Sequence, residues 1–180
     1  MAVNFVVETG SGLATATAYL SVAALKQYWD NYGYSYSTVS DGAFQQKINK
    51  ATEIIDSQYT ISWPGKRKSE TQALDWPRED ATYIDGTEIA ETVVPPEVKK
   101  AVSELVYAEV NGTVLQPVRD VKGTVNRESV RVDVIEQTTV YTEYSALDAT
   151  RNAVTAVDDA LARLVGSQLG SFTNIPIARI

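Results

Sequence analysis

The residues best suited to chemistry lie between positions 63 and 78. Two tryptophans, two prolines and four cations fall within Trp63-Pro64-Gly65-Lys66-Arg67-Lys68 and Trp76-Pro77-Arg78. Aromatic faces beside cations are what a single-stranded nucleic acid requires: bases stack on the rings and phosphates meet the charges. In that reading Trp63 and Trp76 stack, while Lys66, Arg67, Lys68 and Arg78 contact phosphate. A structural reading competes with it, in which two aromatic anchors pin a proline-stiffened loop. Glu70, Asp75, Glu79 and Asp80 lie among the cations, so the charge pairs locally and the structural reading carries more weight.

Other candidate constellations are poorer. Asp75, Glu79, Asp80 and Asp85 lack the alternate-position spacing, glycine and closing glutamate of a calcium loop, and read as exposed carboxylates. Gly10-Ser11-Gly12 is not followed by the Gly-Lys-Ser/Thr of a phosphate loop. Asp158 and Asp159 are adjacent on a helix and point about 100° apart, so they form no carboxylate pair. Histidine and cysteine are both absent. That removes the commonest general base, the thiolate nucleophile and the usual transition-metal ligands. No catalytic residue, cofactor or metal ligand is assigned, and a non-enzymatic protein is expected.

The 180 residues carry a formal charge of −7. A net acidic chain is a poor sequence-independent binder of DNA phosphates, because that binding rests on Lys and Arg contacts with counterion release. The Met1-Ala2-Val3-Asn4 start has no basic and no apolar signal region, and no apolar run is long enough to span a membrane. Synthesis in a reducing cytoplasm and no membrane partner are therefore expected.

The elements that must position these residues are mostly helical. Ser21 caps a helix from Val22 to about Asn31, with Leu25, Tyr28, Trp29 and Tyr32 on one apolar stripe. A second helix runs from Asp41 to about Tyr59, with Phe44, Ile48, Ala51, Ile55 and Tyr59 facing inward. Thr82–Ile84 and Thr87–Ile89 flank Asp85-Gly86, a compact hairpin signal. Pro96 opens a third helix that Gly112 ends, with Val98, Ala101, Val102, Leu105, Val106 and Val110 inward. Period-two alternation then predicts an extended β arm over 118–144, turning near Glu136-Gln137. A fourth helix follows over about 146–165, capped by Ser145, with Val154, Val157, Leu161 and Leu164 inward and Gly166 at its end. Residues 167–180 form a tail. The fold class expected is mainly α: one domain, 1–180, of four helices with a small hairpin and a β arm between the third and fourth.

The order of these pieces resembles a known family. Val7 to Val22, Tyr28-Trp29, Ala51-Thr52-Glu53-Ile54-Ile55-Asp56, Trp63-Pro64-Gly65-Lys66-Arg67, Gln72-Ala73-Leu74-Asp75-Trp76-Pro77-Arg78, Asp85-Gly86 and Val94-Pro95-Pro96-Glu97-Val98-Lys99 carry the likeness. It is similar to small tailed-phage proteins often labelled DnaT-like single-stranded-DNA-binding and related in helical plan to head–tail connector subunits. That resemblance implies a structural virion protein: an adaptor ring, commonly of twelve subunits, joining the capsid portal to a tail or neck (stopper) protein. Packaged double-stranded DNA would pass through an acidic collar without specific binding. The location implied is the virion head–tail joint, after synthesis in the host cytoplasm. Val130, Val132 and Val134 of the arm, and Phe172, Ile175, Ile177 and Ile180 of the tail, would then be assembly and portal contacts. The alternative is a single-stranded-DNA-binding replication protein of the primosomal type, using the tryptophan and cation set above.

Overall fold

In the computed structural model, the described residues are 3–36, 39–112, 128–132, 135–139 and 144–165. Four helices dominate: α1 (Val22–Tyr32), α2 (Asp41–Tyr59), α3 (Pro96–Val110) and α4 (Tyr144–Val165). Two short antiparallel ladders accompany them, β1 (Lys66–Arg67) with β2 (Arg78–Glu79), and β3 (Glu128–Val132) with β4 (Ile135–Thr139). The mainly α expectation holds. No described helix is long and apolar enough to cross a membrane.

The helix boundaries follow from capping chemistry. Ser21 Oγ accepts from Ala24 N–H at 3.1 Å, and Ser40 Oγ accepts from Ala43 N–H at 3.3 Å. Each serine satisfies an amide that the first turn would leave open. Gly33 ends α1 at φ 69°, and the amides of Gly33 and Tyr34 close onto the Asp30 and Trp29 carbonyls. Pro96 occupies the first turn of α3, where a missing N–H costs nothing.

The core gathers the predicted stripes. Leu25 and Trp29 of α1 meet Phe44, Ile48, Ala51 and Ile55 of α2, Val98, Val102 and Val106 of α3, and Val157, Leu161 and Leu164 of α4. Helix α3 is central, packing on each of the other three. Tyr32 departs from the stripe expected for α1. It sits on the last turn and is 58% exposed.

One parallel bridge, Val7 to Ala18, joins the N-terminal segment. Two strand expectations change in detail. The Asp85-Gly86 turn forms with a single bridge, Thr82 to Glu88. The arm does not turn at Glu136-Gln137. Val132 pairs with Ile135, and Arg131 is in register with Glu136, so the chain reverses between Val132 and Ile135. Strands β3 and β4 contact each other and no other helix or strand among the described residues.

Candidate nucleic-acid interface

The tryptophan segment is folded inward. Trp76 is fully buried and Trp63 is buried beside it, with ring centroids 5.8 Å apart in an edge-on pair. The β1–β2 ladder ties the segment together. Gly65 makes the close crossing possible: a Cβ there would lie 2.2 Å from the Glu79 carbonyl oxygen.

Its cations are engaged as well. Arg78 is buried and donates to the carbonyls of Pro64 at 2.7 Å, Gly65 at 2.8 Å and Asp75 at 3.3 Å. Arg67 donates to the Gln72 carbonyl. Lys68 reaches the Gly10 carbonyl at 3.3 Å, and Lys66 is exposed but paired with Asp80 at 3.3 Å and Glu79 at 3.5 Å. None of the six presents an unengaged ring face or charge to a ligand. The structural reading of this segment is the one the geometry supports.

Three polar groups with no local signature in the sequence hold the segment in place. Buried Gln72 accepts from Ser69 N–H and donates to the carbonyls of Leu74 and Pro77. Asp56 accepts from the Tyr19 hydroxyl at 2.5 Å and from Asp75 N–H at 3.1 Å, while Trp76 N–H donates to the same tyrosine oxygen. Burial pushes the Asp56 carboxyl up to about 6, against these hydrogen bonds, which favour its ionised form. Glu8 is the third. Its carboxylate accepts from the amides of Gly10, Ser11, Gly12 and Leu13 at 2.7–3.0 Å. The glycine loop that fell short of a phosphate motif is therefore a nest filled by the chain's own acid. Gly10 is obligatory there, since a Cβ would lie 1.7 Å from the Thr92 carbonyl oxygen.

An open cleft lies on another face. About 510 Å³ in volume, it is bounded by Leu20, Ala24 and Tyr28 at α1, by Pro96, Glu97, Lys99, Lys100 and Ser103 of α3, and by Asp159, Ala160 and Arg163 of α4. Arg163 lies over the Tyr83 ring at 4.5 Å and pairs with Glu97 at 3.1 Å and Asp85 at 3.5 Å. Lys99 and Lys100 are exposed and have neither an ion pair nor a side-chain hydrogen bond among the described residues, whereas every other cation whose side chain is described has one or the other.

Sequence reasoning passed over this pair for an identifiable reason. Lys99 has no acid three or four positions away on its helix, which is a readable signal. Lys100 has two, Glu97 and Glu104, and so reads as neutralised. In the fold Glu97 is taken by Arg163 and the Tyr83 hydroxyl, and Glu104 by the hydroxyls of Tyr28 and Tyr34. Both acids are diverted to long-range partners, and Lys100 is left unpaired.

Among the described residues, fold and cleft define a mainly helical body whose α1–α3–α4 cleft carries two unpaired lysines and Tyr28. The family described as "Putative DnaT-like ssDNA binding protein" matches residues 3–180, and the chain belongs to that family. No curated protein and no solved structure matches it.

Family membership corrects the adaptor assignment. The match spans the arm and tail as well as the body, so the family that covers the chain is the DNA-binding one and not a connector family. The ring of twelve, the portal and tail partners, and passive passage of double-stranded DNA are withdrawn with it. The acidic collar that accompanied the resemblance also has a weak physical basis. A charge of −7 describes the whole chain, whereas a strand meets one face of it. Of the proposed assembly residues, Val130 and Val132 lie on β3, in register with Gln137 and Ile135. Val134, Phe172, Ile175, Ile177 and Ile180 lie outside the described residues, as does the rest of the tail.

Proposed function

We propose that the protein binds single-stranded DNA, without catalysis, through the cleft between α1, α3 and α4. Lys99 and Lys100 contact phosphates, and the cleft accommodates the adjoining sugar and base. The observation that carries this reading is the pair of lysines left without a partner among the described residues, on the rim of an open 510 Å³ cleft. The family match supplies the ligand class. The tryptophan segment serves as the scaffold behind the body rather than as the contact surface.

A salt titration of binding tests it. Fluorescence anisotropy with a labelled dT oligomer should show affinity falling with salt, with a shallow slope, because only about two phosphates are neutralised and each adds roughly 0.7 to it. The Lys99→Ala/Lys100→Ala double variant should bind about tenfold more weakly near 0.1 M salt and lose most of the slope, at unchanged melting temperature. An equivalent affinity and slope in the variant would exclude the cleft. Absence of any binding by the wild type would exclude the function.

A further inference from the structure

Two lysines on an acidic protein supply little affinity by charge alone, so a strand bound here needs a second source of contact energy. The cleft continues onto a tier of tyrosines that can provide it. Tyr28 lines the cleft, and its ring centroid is 4.6 Å from that of Tyr32 and 6.5 Å from that of Tyr34. Tyr34 stacks on Tyr107 at 4.0 Å with the planes 20° apart. The hydroxyls of Tyr28 and Tyr34 converge on Glu104, the first at 2.5 Å and the second at 3.3 Å. Burial and the Glu104 carboxylate hold both hydroxyls in the protonated, donating form. Tyr28, Tyr34 and Tyr107 are thus fixed by packing and hydrogen bonds. Tyr32 caps them, 58% exposed, on a helical stripe on which Trp29 is fully buried.

We infer that Tyr32 is a base-stacking platform and that it makes the site select unpaired bases. The inference rests on the single-strand reading above and deepens it. A ring held in place by its neighbours loses little freedom when a base stacks on it. Every base offers a π-face, so the contact tolerates any sequence. A duplex keeps its base faces stacked on one another and cannot use the platform. Tyr28, Tyr34 and Glu104 act as positioning residues beneath it.

The test uses the full chain with three ligands: a dT oligomer, the same oligomer carrying abasic sites, and a duplex of equal length. Wild type should favour the dT oligomer over both others by about tenfold, the scale of one base–aromatic stack. Tyr32→Ala should lose about that factor on the dT oligomer and nothing further on the abasic one, with its salt slope and melting temperature unchanged. Tyr32→Phe should bind as wild type does. Tyr32→Ala binding the dT oligomer at wild-type affinity, or losing as much on the abasic strand, would overturn the platform while leaving single-strand binding intact. A wild type that binds none of the three ligands would overturn both.

Discussion

The tryptophan segment and the α1–α3–α4 cleft contain the same ingredients and use them in opposite ways. Residues 63–78 hold aromatics and cations at high density, yet Trp76 is fully buried, Arg78 is spent on three backbone carbonyls and Lys66 faces two acids. The cleft draws ordinary residues from separate helices, yet its two lysines have no partner among the described residues, and Tyr32, packed on the lining Tyr28, is exposed. Residue type tells what a side chain could do. Whether it remains available depends on its partners, and most partners here are distant in sequence: Glu104 engages Tyr28 across 76 positions and Glu97 engages Arg163 across 66.

The comparison breaks most visibly at Trp76. Its ring is fully buried against Trp63, so Trp76→Ala should cost ~3–5 kcal/mol in denaturant unfolding, as large-to-small changes in a packed core do. A variant of wild-type stability would show a ring that stands outside the core, and the two regions would exchange roles.

A smaller effect is expected from Asp56, which anchors the same segment through Tyr19 and the Asp75 amide. Its folded pKa of about 6 lies above the ordinary carboxyl value of 3.8. The folded protein therefore holds the proton more tightly than the unfolded chain, and ionisation of this group opposes folding. Its contribution to stability grows as pH falls from about 6 to about 4 and is complete below that window. Urea unfolding should show wild type gaining on the order of 2 kcal/mol over Asp56→Asn between pH 7 and pH 4.5. Parallel pH curves for the two proteins would mean that Asp56 is better hydrated than its position implies.

How much of this was legible in the sequence depends on the range of the interaction. The caps at Ser21 and Ser40, the Pro96 start, the Gly33 stop and the inward faces of α2 and α3 are local, and all could be read from spacing. So could burial of Trp63 and Trp76, once the interleaved acids were weighed. The register of β3 and β4, the Glu8 nest and the convergence of Tyr28 and Tyr34 on Glu104 depend on which backbone or side chain arrives from elsewhere. The candidate site is of this second kind. Lys100 has Glu97 and Glu104 within helical reach and loses both to distant partners, and Tyr32 looked buried because its stripe was extended one turn too far.

The finest test of the contrast is a charge that the cleft does not need. Asp159 lies on the cleft wall opposite the lysines, is exposed, and has no ion pair among the described residues. A phosphate bound at Lys99 or Lys100 would feel it as a repulsive neighbour. Exposed charge interactions amount to roughly 0.2–1 kcal/mol, so Asp159→Asn should tighten binding of a dT oligomer by about twofold at low salt. The gain should fade as salt is raised past about 0.15 M, where the screening length is about 8 Å. Neutralising Glu79 instead, on the tryptophan segment, should leave affinity unchanged, because Lys66 lies outside the proposed path of the strand. If Glu79→Gln tightened binding and Asp159→Asn did not, the strand would run over β1 and β2, and Lys66 would be the cation that meets it.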